Sequence, residues 1–190
     1  MRVSAGEFKG KKLIPIKGKS IRPVSNKIKA AIFNILGSYI KGKKILDLFA
    51  GTGAFGIEAI SSGAEFCVFM DNSKYSLSII NKNINLCLLQ DKTEIIKKDI
   101  IKSYTLINYS EYPFDIIFLD PPYKANAMVS TIEKISKTVL ENSKVIIVAE
   151  HSIKTKLPKI ITPFILYDAR RYGNTAVSFF SSGINKPYFT

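Results

Sequence analysis

Residues 45–56 read Ile45-Leu46-Asp47-Leu48-Phe49-Ala50-Gly51-Thr52-Gly53-Ala54-Phe55-Gly56. This stretch predicts a strand from Lys44 to Phe49, a turn built on G-x-G-x-x-G, and a helix that continues to about Ser62. The glycines allow a tight turn and let a ligand approach the backbone closely. A binding loop for an adenosine-containing ligand is the favoured interpretation, and a purely structural turn is the alternative.

Beyond this stretch, strands alternate with helices, which predicts a mostly parallel α/β sheet with helices on both faces. The further predicted strands are residues 66–70, 94–97, 114–119 and 145–149, and the predicted helices are residues 73–89, 101–109 and 127–140. Two more strands, residues 164–168 and 176–180, are expected to form an antiparallel C-terminal hairpin at one edge. The predicted fold class is therefore α/β and Rossmann-like, with a seven-stranded sheet.

The N-terminal segment differs from the rest of the chain in charge. The formal net charge is +13, and residues 1–44 carry twelve Lys and Arg against the single acid Glu7. Such asymmetry is typical of a protein that binds a polyanion such as nucleic acid, although a general preference for lysine is the alternative. We predict a basic N-terminal β-hairpin and helix extension over residues 1–40, with a helix N-cap at Ser25, and a second unit over residues 41–190.

Composition excludes several classes of protein. Apolar residues make up 46% of the chain and aromatic residues 11%, so disorder is excluded. No apolar run is long enough for a membrane span, and the N-terminus lacks the apolar centre of a signal peptide, which predicts a cytoplasmic protein. Cys67 and Cys87 have neither disulfide nor metal-ligand spacing, so we expect reduced thiols and no metal. A monomer is the default expectation.

Three acids near predicted strand ends indicate which ligand the glycine loop binds. Asp47 precedes Gly51 by four residues, and a carboxylate there would repel a pyrophosphate but attract the cationic groups of S-adenosylmethionine. Asp71 ends the second strand, where an acid can bind ribose hydroxyls. Asp99 follows the third strand and could accept from an adenine amino group, or instead pair with a flanking lysine. A buried or capping role for Asp47 is the alternative.

The strand at residues 114–119 delivers Asp120-Pro121-Pro122-Tyr123 to the same edge of the sheet. An exocyclic amino group is a poor nucleophile, because its lone pair is delocalised into the base. Two acceptors, the Asp120 carboxylate and the Pro121 carbonyl, could orient its N–H bonds and stabilise the charge that develops during attack on a methyl group. Tyr123 offers a face on which a base can stack. A rigid turn without chemistry is the alternative.

The motifs together resemble the RsmD family, which are class I S-adenosylmethionine-dependent methyltransferases. The resemblance rests on Arg2 to Leu13, Arg22-Pro23, Phe33-Asn34, Asp47 to Gly53, Asp120 to Tyr123 and Tyr172 to Thr175. It implies methylation of the N2 amino group of one guanine in 16S ribosomal RNA of the small ribosomal subunit. The chemistry alone leaves open an adenine-N6 methyltransferase acting on DNA or RNA, and a catalytically silent RNA-binding assembly factor.

The resemblance also implies the site residues. The catalytic residues are expected to be Asp120, Pro121, Pro122 and Tyr123. The cofactor-binding residues are expected to be Asp47, Phe49, Ala50, Gly51, Thr52, Gly53, Gly56, Asp71, Asn72 and Asp99. From the distribution of basic residues, the RNA-binding residues are expected to be Arg2, Lys9, Lys11, Lys12, Arg22, Lys27, Lys29, Arg170 and Arg171.

Some positions depart from the family pattern or have a structural alternative. Lys27 and Lys29 stand where the family usually has arginines, and lysine lacks the two-pronged contact that arginine makes with phosphate. Both lysines are expected to face outward from their helix. Arg170 and Arg171 could instead stabilise a hairpin turn. His151 is predicted to start a helix after the fifth strand.

Overall fold

The computed structural model describes residues 1–16, 26–103, 113–122, 127–138 and 144–183. Its elements in chain order are α1 (Asn26–Leu36), β1 (Lys44–Leu48), α2 (Ala54–Ser61), β2 (Phe66–Asp71), α3 (Lys74–Cys87), β3 (Thr93–Lys97), β4 (Ile116–Leu119), α4 (Ala127–Ser136), β5 (Ile146–Ser152), β6 (Ile160–Ile161), β7 (Phe164–Tyr172) and β8 (Thr175–Ser181). Short 3₁₀ turns at Gly37–Ile40 and Gln90–Lys92 precede β1 and β3.

The strands form one sheet in the order β3-β2-β1-β4-β5-β8-β7-β6. Strands β1 to β5 run parallel to one another, whereas β8 is antiparallel to β5, β7 to β8 and β6 to β7. The predicted α/β class is confirmed, but the sheet has eight strands among the described residues rather than seven. The additional strand is β6, whose two residues pair with the start of β7. Two residues are too few to show a periodic pattern in the sequence.

Both faces of the sheet are covered by apolar side chains, as the continuous apolar strands require. One core cluster joins the sheet to α1, α2 and α3, and includes Phe33, Phe55 and Phe118. The other joins the opposite face to α4 through residues such as Ile132, Ile147 and Phe180. Because residues two apart on a strand share a face, Asp47, Asp71 and Asp120 lie on the face of the first cluster, following Ile45, Phe69 and Phe118.

One local prediction is wrong and another is only partly tested. His151 lies inside β5 and not at the start of a helix. The N-terminal hairpin is present but short: Arg2 and Lys12 form an antiparallel bridge, and the N–H groups of Val3, Gly10 and Leu13 donate to the carbonyls of Lys11, Val3 and Met1 at 3.0, 2.9 and 3.1 Å. The predicted helix over residues 101–109 begins in a turn, and its remainder lies outside the described residues, as do the Ser25 N-cap and the predicted helix end at Leu140.

The N-terminal segment packs on the rest of the chain rather than standing apart. Val3 and Leu13 are buried in the same core cluster as α1 and α2. Glu7 N–H donates to the Ser61 carbonyl at 2.9 Å, and Ser61 is the last residue of α2. Since α2 runs from the carboxyl edge of the parallel strands back to their amino edge, the loop at residues 4–8 lies near the amino edge.

Candidate active site

The glycine loop between β1 and α2 has an unusual backbone conformation. Phe49, Gly51 and Gly53 all have positive φ, at 58°, 57° and 75°. A positive φ is rare for a residue as bulky as phenylalanine, so the surrounding contacts must hold it. Two of those contacts are backbone hydrogen bonds, from Ala50 N–H to the Met70 carbonyl at 3.1 Å and from Gly53 N–H to the Ala50 carbonyl at 2.7 Å.

Gly56 is required by packing rather than by backbone conformation. A Cβ atom at this position would lie 2.3 Å from the Phe69 ring and 2.5 Å from Cys67 Sγ. The first turn of α2 therefore lies directly against β2. Gly56 N–H also donates to Asp47 Oδ2 at 3.0 Å, which fixes that carboxylate beneath the helix N-terminus.

Asp71 organises the loop from the neighbouring strand. Its Oδ2 accepts from Gly51 N–H at 2.9 Å, and its Oδ1 accepts from Ser73 N–H at 2.8 Å. Both carboxylate oxygens thus have backbone partners, and each keeps acceptor capacity for another group. Asn72, which follows it, is exposed at the same edge.

Asp47 is the most deeply buried of these acids. It is 2% exposed, and burial raises its pKa well above the ordinary value. The hydrogen bond from Gly56 opposes this, while the negative charges of Asp120 and Asp71 raise the pKa further. Among the described residues, neither Asp47 nor Asp71 has a cationic side chain as an ion-pair partner. The arrangement favours a ligand that brings positive charge.

The end of β4, which leads into Asp120, Pro121 and Pro122, lies beside Asp47. Asp120 is partly buried, Pro121 is buried and Pro122 is exposed. In the pairing of β1 with β4, Asp47 lies opposite Phe118. Asp120 comes two residues after Phe118, directly beyond the end of β4 at Leu119. Tyr123 lies outside the described residues. The structure therefore brings Asp47, Asp71 and Asp120 to one edge and one face of three neighbouring strands.

Asp99 is placed differently. Its Oδ1 accepts from Lys102 N–H at 3.1 Å, and its carbonyl accepts from Ser103 N–H at 2.9 Å. The ion pair it makes is with Lys102, at 3.9 Å, rather than with the lysines that precede it. Asp99 thus caps the turn after β3, and a contact with a ligand stays a prediction.

Most of the predicted RNA-binding residues fall into two groups at different edges of the sheet. Lys9 and Lys12 are exposed on the loop that packs on α2, and Lys11 Nζ lies 5.8 Å from the Phe8 ring centroid. The Arg2 guanidinium donates to the Gly10 carbonyl at 2.7 Å and remains exposed. These residues border the amino edge of the sheet.

The second group borders the carboxyl edge. Arg170 Nε donates to Asp168 Oδ2 at 2.9 Å, and Arg171 Nε donates to the Gly173 carbonyl at 3.1 Å. These contacts fit the structural alternative, yet both side chains stay exposed. Lys27 is exposed as predicted, and Arg22 lies outside the described residues.

The prediction that Lys29 faces outward and binds RNA is wrong. Lys29 is 0% exposed, and its ammonium pairs with the Glu58 carboxylate and donates to the Arg2 carbonyl at 2.9 Å. Glu58 is also 0% exposed, and Oε1 accepts from Ser4 and Ala5 N–H at 2.8 Å each. Lys29 occupies the apolar stripe of α1 with Ile32 and Leu36, so it is a structural residue rather than a phosphate ligand.

Two polar residues at the site were not predicted. Asn83 on α3 is fully buried; its amide donates to the Thr52 carbonyl at 2.9 Å and to the Ile14 carbonyl at 3.1 Å, and its Oδ1 accepts from Ile14 N–H at 2.8 Å. A polar residue within the apolar stripe of Ile79, Ile80 and Ile84 was the available signal. The other is Glu150, an acid near the end of an apolar strand, as Asp47, Asp71 and Asp120 are.

A family model described as "Conserved hypothetical protein 95" matches residues 1–181. The chain belongs to this family. It is 34% identical over 180 residues to a Bacillus subtilis protein named "Putative rRNA methyltransferase YlbH", covering 95% of this chain and 98% of the relative. It is 33% identical to the "Ribosomal RNA small subunit methyltransferase D" of Buchnera aphidicola, covering 83% of this chain and 82% of that one. The resemblance to the RsmD family is confirmed.

Solved structures support the fold. The chain matches a structure titled "Putative methyltransferase yhhF from Escherichia coli" with a TM-score of 0.80 at 23% identity, covering 95% of this chain and 97% of that one. It matches an RNA methyltransferase from Salinibacter ruber, in complex with S-adenosyl-L-homocysteine, with a TM-score of 0.67 at 11% identity, covering 88% of this chain and 97% of that one. At these identities the likeness concerns the fold, and the Rossmann-like class is confirmed.

Within the ranges that the structure describes, no helix has the length and hydropathy that a membrane crossing needs. In the same part of the chain, no three His, Cys, Asp or Glu side chains are grouped so that they could hold a metal ion.

Proposed function

We propose that this protein transfers a methyl group from S-adenosylmethionine to the N2 amino group of a guanine in 16S ribosomal RNA of the small ribosomal subunit. The observation that carries the proposal is the buried Asp47, held between Asp71 and Asp120 with its pKa raised. A site that concentrates negative charge in this way gains most from a cationic ligand. The names of the two relatives, both ribosomal RNA methyltransferases, agree with it.

The residues present fit the methyl donor. When bound, S-adenosylmethionine supplies an electrophilic methyl group on a cationic sulfur. The loop from Phe49 to Gly53 can approach such a ligand with its backbone, because the glycines leave no side chain in the way. Asp71 and Asn72 stand where ribose hydroxyls would be bound, and Asp47 offsets positive charge. Thr52, Ala50 and Gly56 shape the loop.

The acceptor side of the reaction falls to Asp120, Pro121, Pro122 and Tyr123. The Asp120 carboxylate and the Pro121 carbonyl accept from the two N–H bonds of the amino group. The methyl group would pass from its sulfur to the nitrogen, and those acceptors would stabilise the positive charge that develops there until one proton is lost to solvent. Tyr123 stacks on the base, and the prolines hold the acceptors in place.

RNA is bound by the basic surface. The exposed side chains of Arg2, Lys9, Lys12, Lys27, Arg170 and Arg171, with the partly exposed Lys11, provide phosphate contacts, together with Arg22. We assign residues 1–40 to the RNA-binding extension and residues 41–190 to the methyltransferase domain. The substrate places the protein in the cytoplasm, where we expect it to act as a monomer. Lys29 has no part in this surface.

The test is transfer of an isotopically labelled methyl group to small ribosomal subunits that lack the modification, followed by mass mapping of the product nucleotide. The expected product is an N2-methylguanine. An N6-methyladenine would favour the adenine alternative, and absence of S-adenosylmethionine binding in calorimetry would favour the silent assembly factor.

Asp120→Ala tests the assigned chemistry. Loss of one positioned acceptor is expected to lower kcat about 10²–10³-fold and to leave the Kd for S-adenosylmethionine nearly unchanged. The matched control is Asp91→Ala, which removes an exposed carboxylate on the turn before β3 and should change neither quantity. Equal losses of cofactor binding and turnover in Asp120→Ala would contradict the role.

A further inference from the structure

Glu150 stands beside Asp120 across two paired strands. The register of β4 with β5 pairs Leu119 with Ala149, so the next position places Asp120 beside Glu150. Neighbouring strands lie about 4.8 Å apart, which brings the two backbones close. Phe118 and Val148, two residues earlier on each strand, both belong to the first core cluster. Asp120 and Glu150 therefore project from the same face of the sheet.

The neighbouring residue on β5 has a different environment. His151 projects from the opposite face, and its ring nitrogens lie 2.9 Å from the Ser152 carbonyl and 2.9 Å from Ser178 Oγ. It is tied into the sheet. Glu150 is 7% exposed and lies at the edge of the sheet where Asp47, Asp71 and Asp120 are found. Its carboxylate adds to the negative charge at this edge. Burial of one more acid at this place has a cost that an apolar residue would avoid.

We infer that Glu150 is a specificity-determining residue that accepts a hydrogen bond from N1–H of the target guanine. The inference rests on the proposed function. Guanine presents an N–H donor at N1 next to its amino group, whereas adenine presents a lone pair at N1. With Asp120 and Pro121 holding the amino group, a second carboxylate one strand away meets a donor in guanine and a repelling lone pair in adenine.

This assignment separates two bases that the amino-group chemistry alone does not distinguish. A site built to accept from a ring N–H discriminates strongly against an analogue without it, because a buried charge is then left facing a lone pair. 2-Aminopurine is such an analogue, since it keeps the amino group at C2 but has a lone pair at N1.

The experiment compares two RNA substrates that differ only in the target base. The guanine methylated by the wild-type protein is first mapped, and RNA fragments are then made with guanine or 2-aminopurine at that position. We expect the wild-type kcat/KM to favour guanine by about 100-fold or more. In Glu150→Gln the preference should fall below about 10-fold, because the amide can donate to N1 of 2-aminopurine.

The controls keep the inference falsifiable. Glu133→Gln, an exposed position on α4, should leave the preference unchanged. If Glu150→Gln does not fold, Glu150→Asp serves instead: it should slow guanine methylation and keep the preference. An unchanged preference in a folded, active Glu150→Gln protein, or full guanine activity in Glu150→Asp, would overturn the inference. Failure of the proposed function looks different, since the wild-type protein would then methylate no guanine.

Discussion

Two groups of buried charged side chains lie near opposite ends of helix α2, and they differ in how their charges are balanced. Near its C-terminal end, Glu58 faces the Lys29 ammonium and accepts from the backbone of Ser4 and Ala5. At its N-terminal end, Asp47 accepts one backbone hydrogen bond and is surrounded by the like charges of Asp71 and Asp120.

The difference separates a group whose charges are balanced within the protein from the group to which we assign ligand binding. A buried ion pair with its lone pairs satisfied is complete within the protein, and its role is to hold elements together. Like charges close to one another raise the free energy of the folded state, and protonation or a cationic ligand relieves that repulsion. The first group anchors the N-terminal segment, and under the proposed function the second would bind a cationic ligand.

The largest effect is expected from breaking the satisfied group. Glu58→Ala leaves the Lys29 charge buried without a counter-ion and two backbone N–H groups without acceptors. Loss of one partner of a buried pair costs about 3–5 kcal/mol. Urea denaturation of the variant should show this loss in the free energy of unfolding.

Two comparisons control that measurement. Glu65→Ala removes an exposed acid whose ion pair with Lys44 is 4.0 Å long, and it should cost less than about 1 kcal/mol. Replacing both partners, as Lys29→Met with Glu58→Leu, should cost less than Glu58→Ala alone. A cost near that of Glu65→Ala in the Glu58 variant would show that the buried pair does not anchor the segment.

The sequence predicted one of these groups well and the other poorly. The acids Asp47, Asp71 and Asp120 could be predicted because each lies at or next to the carboxyl end of an apolar strand, and parallel strands bring these ends to one edge whatever their order. Lys29 was misplaced because its partner is 29 residues away on another helix, and lysine is rarely buried without a partner. Its position in the stripe of Ile28, Ile32 and Leu36 was the only local indication.

Other features lay beyond local patterns for similar reasons. The bonds from Asn83 to Ile14 and Thr52 join three segments that only the folded chain brings together. The significance of Glu150 depends on the register of β5 with β4, which no spacing within β5 can give. Strand β6 exists only as a partner of β7.

An intermediate effect is expected from removing the charge of Asp47. Asp47→Asn should weaken S-adenosylmethionine binding about 10-fold or more, since one charge near a cationic ligand is worth about 1–4 kcal/mol. It should not lower stability at neutral pH, because the raised pKa means that the ionised Asp47 already disfavours folding.

The pH dependence gives the same prediction a second measurement. A cationic ligand lowers the raised pKa of Asp47, so binding releases a proton and wild-type affinity should increase as the pH rises. Calorimetry in buffers of different ionisation enthalpy detects that proton. Asp47→Asn should abolish the proton release that comes from Asp47. Asp91→Asn is the matched control at an exposed acid. Unaltered affinity and proton release in Asp47→Asn would place the positive charge of the ligand elsewhere.

The smallest effect concerns His151, which resembles the satisfied group in having both nitrogens bonded within the sheet. Burial lowers its pKa below the ordinary 6.5, so its contribution to stability is present above that pH and is lost as the pH falls through the window below it. The free energy of unfolding cannot change through this group by more than about 1.4 kcal/mol per pH unit.

Asp47 acts in the opposite direction, because protonation of a group with a raised pKa stabilises the fold. His151→Gln should therefore reduce the loss of unfolding free energy on acidification from pH 7, and since the chain has one histidine, the difference from wild type reports that group alone. Identical pH profiles for the two proteins would show that the ring does not titrate differently in the folded and unfolded states.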